Sequence, residues 1–93
     1  RVREEAMRRI HLVLDSRDSI DQQLDGVMEG WRLSRLPRID RDILRLAVVD
    51  LGAMKTPASV ACSEAVELAN RYSDEQGRRM INGVLRRLQN ATV

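Results

Sequence analysis

The stretch Ile39–Leu51, IDRDILRLAVVDL, decides the fold of this 93-residue chain. Its apolar residues recur at helical spacing, and most of the gaps between them are apolar as well. That apolar surface is too wide for a helix with one face in solvent, so the stretch predicts a central helix enclosed by others. We expect Asp40, near its first turn, to reach water. Arg45 and Asp50 lie within the apolar run and need oppositely charged partners if they are enclosed.

Amphipathic segments flank the central helix on both sides. Residues 2–14 and 19–31 carry helical patterns, and between them residues 15–18 form either a turn or a bend in one continuing helix. A fourth helix is expected to begin at Pro57 and a fifth to run over residues 78–89. Because no alternating run is long enough for a strand, the sequence predicts an all-α, compact bundle of about five helices.

Two glycines mark the last part of the chain. The polar residues 72–76 predict a turn, and Gly77 predicts a flexible connection to the last helix. Gly83 lies inside the apolar pattern of that helix, where glycine costs about 1 kcal/mol relative to alanine. We expect this cost to be tolerated because another backbone comes close to Gly83.

Length and composition favour a small intracellular domain. Ninety-three residues suffice for one domain or a piece of one, and since the chain does not begin with methionine we expect an N-terminal part to be missing. The single cysteine, Cys62, excludes an internal disulfide and favours a reducing compartment, the cytoplasm. No apolar run approaches the roughly 18 residues that a membrane span requires, so a soluble protein without membrane contact is expected.

Residues capable of chemistry are few and scattered. His11 is the only histidine and Cys62 the only cysteine, so no spacing predicts a metal site. Ser63 has no histidine near it in sequence that would make it a nucleophile. The glycines form no phosphate-binding loop. The sequence therefore predicts a protein that is not an enzyme, with no catalytic residue, no metal and no cofactor.

Charge is unevenly spread although the net charge is only +2. Of the 16 basic residues, Lys55 alone is lysine, and arginine suits bidentate contacts with phosphate or carboxylate. An acidic cluster consists of Asp18, Asp21, Asp25 and Glu29. A basic strip consists of Arg78, Arg79, Arg86 and Arg87. Either these are ordinary solvated helix faces, or the basic strip binds RNA phosphates. With Trp31 and Tyr72 as the only aromatic residues, an extended base-stacking surface is not expected.

Three ordered motifs carry a family likeness. They are D-R-x-I-L-R-L-A at Asp40–Ala47, E-A-V-E-L-A at Glu64–Ala69 and I-N-G-V-L at Ile81–Leu85. This set resembles the C-terminal part of the NusB family, and the look is closest to cyanobacterial members. The likeness covers residues 39–88 most strongly. It departs from the family at Met80, where phenylalanine is usual.

The resemblance implies a function. NusB proteins are all-helical, RNA-binding transcription antitermination factors that, with ribosomal protein NusE, bind boxA of nascent ribosomal RNA transcripts and join the antitermination complex on RNA polymerase. Residues 1–93 are then expected to be a single helical domain that lacks the family's N-terminal helices, and a homodimer is possible. Two alternatives remain: the NusB-type appendage of a 16S ribosomal RNA cytosine-5 methyltransferase, and a helical protein–protein interaction module.

The resemblance also implies site residues. Asp40 and its neighbour Arg41, at the start of the central helix, are expected to contact NusE. RNA-binding residues are expected from it in the loop before the last helix and in its first turn: Gln76, Arg78 and Arg79. The charge pattern, rather than the resemblance, adds Arg86 further along the basic strip.

Overall fold

Five α-helices make up most of the computed structural model, which describes residues 2–28 and 30–91. Within these ranges there is no strand, so the all-α prediction is confirmed. A short 3-10 turn at Leu33–Arg35 precedes the third helix. The helices are α1 Val2–Asp15, α2 Arg17–Val27, α3 Arg38–Leu51, α4 Ala58–Tyr72 and α5 Glu75–Ala91. None of the described helices is long and apolar enough to cross a membrane. Glu29 of the predicted acidic cluster lies outside the described residues.

The central position of α3 is confirmed. It contacts each of the other four helices. Its buried apolar side chains form the middle of the core: Ile43, Leu44, Ala47, Val48 and Val49. The first turn differs from the prediction, because Ile39 is 40% exposed whereas Asp40 is only 2% exposed.

Two ion pairs tie the N-terminal helices to α3, as the enclosed charges of α3 required. The Arg45 guanidinium donates from Nε and a terminal nitrogen to both carboxylate oxygens of Asp21, at 2.9 and 3.0 Å. These hydrogen bonds raise the pKa of Arg45, although burial works against its charge. The second pair joins Arg9 of α1 to Asp50 of α3 at 2.8 Å, and Arg9 also reaches Glu64 of α4 at 2.9 Å. Arg9 therefore links α1, α3 and α4 through two ion pairs.

The junction of α1 and α2 is a bend rather than a loop. The backbone N–H of Ser16 donates to Leu12 at 3.1 Å, and the carbonyl of Ser16 accepts from Ile20 at 2.9 Å. The helical hydrogen-bonding pattern therefore continues through Ser16, whose ψ of 19° departs from the helical value. The sequence left open either a turn or a bend in one continuing helix at residues 15–18, and the structure has the bend.

The predicted end of α2 is wrong, since the helix stops at Val27 rather than near Trp31. Met28 already has an extended backbone with ψ 119°. Gly30 then adopts φ +74°, a left-handed conformation that glycine takes without the steric cost of a Cβ atom. Trp31 is consequently a loop residue with 42% exposure.

The start of α5 is also earlier than predicted, at Glu75 rather than Arg78. The Asp74 carboxylate accepts a hydrogen bond from the backbone N–H of Gly77 at 2.7 Å, which is the geometry of an N-terminal cap. Gly77 is therefore buried in the first helical turn and is not a flexible link. A Cβ atom at Gly77 would lie 2.7 Å from an oxygen of Asp40, so glycine is required there for close packing.

Gly83 in α5 has a different setting from the one expected. Among residues 2–28 and 30–91 no backbone of another element lies within 4 Å of its Cβ position, and a Cβ atom there would meet only the guanidinium of Arg87, at 3.7 and 4.0 Å. The close approach that the sequence suggested is absent at this position. Gly83 instead faces an open groove.

Candidate functional site

One face of α5 forms the wall of a surface groove. Five residues of α5 line the groove. The intervals of three, one, three and four positions between them place all five on one side of the helix. Trp31, from the loop after α2, forms the other wall. The volume is about 300 Å³, near the lower end of pockets that hold small ligands. The lining residues are Trp31, Gln76, Arg79, Met80, Gly83 and Arg87.

The predicted RNA-binding residues divide into two groups. Gln76 and Arg79 line the groove, and exposed Arg86 lies about two helical turns beyond Arg79, on the same side of α5. Arg78 points elsewhere, about 100° around the helix from Arg79. Its guanidinium donates to the carbonyl of Ser73 at 3.3 Å, which closes the connection before α5. The structure therefore brings together three of the four predicted residues on this side of α5.

The two groove arginines have different partners. Arg79 pairs with Glu75 at 2.8 Å, but both side chains are at least 70% exposed, so a phosphate can replace that carboxylate at little cost. Arg87 donates to the carbonyl of Val27 at 3.1 Å. This bond holds the end of α2 against α5 and fixes the width of the groove near Trp31.

Trp31 was not among the predicted site residues. It also lines a second hollow, together with Gly30, Arg32 and Arg35. Four arginines thus surround one exposed indole, two in each hollow. Sequence reasoning missed this because it assigned Trp31 to the apolar stripe of α2, although Gly30 immediately before it was a signal that the helix had ended.

Asp40 lies beneath one end of the groove. It lines a small cavity of about 50 Å³ together with Trp31, Gly77 and Met80. One carboxylate oxygen, Oδ1, is buried and has no hydrogen-bond partner within the described part of the chain. The expectation that Asp40 reaches water is therefore wrong. Its carboxylate faces the first turn of α5, where the positive end of the helix dipole favours a negative charge.

Arg41 is more accessible than Asp40, because it is only half-buried. Its Nε atom is buried and has no hydrogen-bond partner among the described residues. Of the two predicted partner-binding residues, Arg41 is thus the one that a binding protein can reach directly. Asp40 can influence such a surface only by holding the starts of α3 and α5 together.

The remaining reactive side chains are dispersed. Across residues 2–28 and 30–91, no group of three or more His, Cys, Asp or Glu is placed to hold a metal ion. Cys62 is partly buried, and its sulfur accepts a hydrogen bond from Gln89 at 2.9 Å. What this arrangement offers chemically is binding through an arginine-lined groove.

Comparisons with known proteins agree with the geometry. The model of the NusB family matches residues 1–90. A protein of Synechococcus sp. named transcription antitermination protein NusB is 60% identical over 82% of this chain and 36% of its own length. The protein of the same name from Gloeothece citriformis is 54% identical over 94% of this chain and 41% of its own length.

A solved structure described as T. maritima NusB has a TM-score of 0.85 and 37% identity, and the match covers 91% of this chain and 61% of that one. The chain thus spans about two fifths of the curated relatives named above. The predicted likeness to cyanobacterial members is confirmed.

Proposed function

The chain belongs to the NusB family, and from that premise we propose that it is an RNA-binding transcription antitermination factor that catalyses no reaction. With ribosomal protein NusE it binds boxA of nascent ribosomal RNA transcripts in the cytoplasm, as part of the antitermination complex on RNA polymerase. The observation that carries the proposal is the alignment of Gln76, Arg79 and Arg86 along one side of α5. Arginine side chains in such a row suit the backbone of a single RNA strand.

The RNA surface in this proposal consists of the exposed basic side of α5. Arg79 and Arg86 contact phosphates, and Gln76 at the first turn supplies a neutral hydrogen-bonding group. Arg78 contributes by holding the preceding connection through the carbonyl of Ser73.

The protein-partner surface in this proposal begins at the start of α3. Arg41 contacts NusE, and Asp40 fixes the position of that turn from below. Because this surface and the RNA surface lie at the starts of neighbouring helices, NusE can increase RNA affinity by contacting the same end of the bundle. A homodimer that uses this end would compete with NusE.

The test of the function is fluorescence anisotropy of a labelled boxA-like RNA, titrated with the protein in the presence and absence of NusE. We expect binding that depends on the RNA sequence and that NusE strengthens. A scrambled RNA is the control for sequence, and Arg41→Ala is the control for the partner: it should remove the strengthening by NusE while RNA binding without NusE persists. Weak binding that is indifferent to both sequence and NusE would refute the proposal.

Replacing Arg79 tests whether this side chain contacts an RNA phosphate or only adds to the positive charge of the protein. We expect Arg79→Ala to weaken RNA binding and to reduce the slope of log affinity against log salt by about 0.7, the value of one phosphate contact on a single strand. The measurement is the same anisotropy titration at several salt concentrations.

The matched control is Arg71→Ala, because Arg71 pairs with Glu67 in the same i,i+4 arrangement at 3.2 Å and is also exposed. Both substitutions remove one positive charge and one surface ion pair. Equal salt slopes for the Arg79 and Arg71 variants would remove Arg79 from the RNA surface.

A further inference from the structure

Trp31 is a large aromatic side chain that the fold leaves accessible. It is 42% exposed, in a loop, and it lines both the groove along α5 and the second hollow. The core of the bundle is aliphatic, and no apolar partner covers the accessible part of the indole among the described residues. An exposed indole bordered by two hollows offers an accessible flat surface to a ligand.

The charge around Trp31 indicates which ligand fits. Arg79 and Arg87 lie in the groove, and Arg32 and Arg35 lie in the second hollow. A single RNA strand carries a flat base and a phosphate in every nucleotide. Proteins bind such strands by stacking bases on aromatic side chains beside a positively charged path for the backbone. An acidic protein segment would satisfy the arginines but would leave the indole surface without a flat partner.

Gly83 adds the space that a base requires. Gly83 lies in the groove wall opposite Trp31, and only the guanidinium of Arg87 is near the place where its side chain would be. A helix interior normally disfavours glycine, and no packing contact with the described part of the chain explains it here. The absence of a side chain keeps the groove open beside the indole.

We propose that Trp31 stacks one nucleobase of a single-stranded RNA in the groove that Gly83 keeps open, while Arg79 on α5 and Arg32 and Arg35 beside the loop contact the flanking phosphates. This rests on the proposed function, because it assumes that the chain binds RNA. It adds a stacked base to a surface that otherwise consists of arginines for the phosphates and the neutral hydrogen-bonding group of Gln76.

Trp31 is the only tryptophan of the chain, so its fluorescence reports directly on this site. Unlabelled boxA-like RNA should quench the emission of the 93-residue protein, with the same midpoint that anisotropy gives for the labelled RNA. Trp31→Ala should weaken binding about tenfold, which lies within the usual range for loss of one stacked base. Its salt slope should stay unchanged because stacking releases no counterions. Trp31→Phe should retain most of the affinity.

Three further variants guard against effects of misfolding. Tyr72→Ala removes the other aromatic residue, which is 61% exposed and does not line the groove, and it should bind as the wild type does. Gly83→Ala should raise the melting temperature by about 4 °C, since alanine favours the helix, whereas the larger Gly83→Leu should fill the groove and weaken RNA binding. A stable variant that loses RNA affinity supports the proposal independently of Trp31.

The outcomes separate the two claims. If the RNA binds but the emission of Trp31 is unchanged and both Trp31→Ala and Gly83→Leu bind normally, the stacking proposal is wrong and the proposed function remains. If Trp31→Ala weakens only the binding of NusE, the groove belongs to a protein and the stacking proposal is equally wrong. If the wild-type protein binds no RNA in either assay, the proposed function itself fails.

Discussion

Asp40→Lys is expected to lower the free energy of unfolding by about 3 kcal/mol or more, a large part of the stability of a domain of this size. The side chain at this position is enclosed, with 2% exposure, against the buried Gly77 in the first turn of α5. Lysine would place a positive charge next to the positive end of the α5 dipole, and the nearby Asp74 carboxylate is already engaged with the backbone N–H of Gly77. Urea denaturation followed by circular dichroism measures the loss.

Asp42→Lys is the matched control, because it makes the same change two residues along the same helix at a side chain that is 49% exposed. We expect it to cost less than about 1 kcal/mol, because its ion pair with Arg45 is long, at 3.5 Å, and half-exposed. Equal losses for the two variants would mean that burial is not the cause. Wild-type stability of Asp40→Lys would mean that this side chain turns outward at no cost.

The burial of Asp40 determines how any binding defect of its variants is interpreted. A variant that loosens the starts of α3 and α5 also disturbs the groove, since Asp40 and Trp31 line one cavity. Loss of NusE or RNA binding in Asp40→Lys would then report on the fold. Arg41, which is partly accessible, is the cleaner probe of the partner surface.

Helical periodicity predicted the central helix but not the orientation of its first turn. A wide apolar stripe identifies α3 as enclosed, because burial of apolar area is the dominant favourable term in folding. It cannot decide whether Ile39 or Asp40 faces inward near a helix end. That choice depends on where α5 begins, because Asp40 packs against Gly77 in the first turn of α5. These two residues are 37 positions apart in the chain. The functional interpretation of Asp40 was therefore the least predictable part of the site.

The start of α5 was predictable from a local signal that the sequence analysis did not use. Asp74 is a preferred N-cap residue, and the backbone N–H three positions later is the one that it bonds. Reading Gly77 as flexible overlooked this cap. Two of the site residues, Gln76 and Arg79, therefore lie on a continuous helical face.

The groove itself depends on a loop, and so it could not be predicted from periodicity. The arginines of α5 follow helical spacing and were found, whereas Trp31 is brought beside them by the left-handed backbone of Gly30. The pairing of Arg87 with the carbonyl of Val27 likewise joins residues 60 positions apart. Such contacts follow from how α2 and α5 pack, which single-sequence patterns do not contain.

Arg9→Met is expected to cost about 3 kcal/mol of unfolding free energy, because it leaves a buried carboxylate without its partner. The Asp50 side chain is 6% exposed and is paired with Arg9 at 2.8 Å. Burial raises the pKa of Asp50 above its ordinary value, and the attraction of Arg9 offsets this only in part. Glu64, the second partner of Arg9, is 43% exposed and can be solvated instead. Urea denaturation at neutral pH measures the loss, with Arg8→Met, an exposed arginine on the same helix, as the matched control.

The pH dependence distinguishes a buried charge from lost packing as the cause. Without Arg9 the pKa of Asp50 should rise further, so the folded protein binds a proton that the unfolded chain releases at the same pH. The deficit of Arg9→Met relative to wild type should therefore be small below the ordinary pKa of an aspartate, about 3.9, and should grow as the pH rises through the higher folded-state value. Comparing the two proteins at roughly pH 4 and pH 7 tests this. An equal deficit at both values would show that Arg9 acts through the packing of its aliphatic stem on α3 and α4, and that the ion pair serves to position α1 rather than to neutralise Asp50.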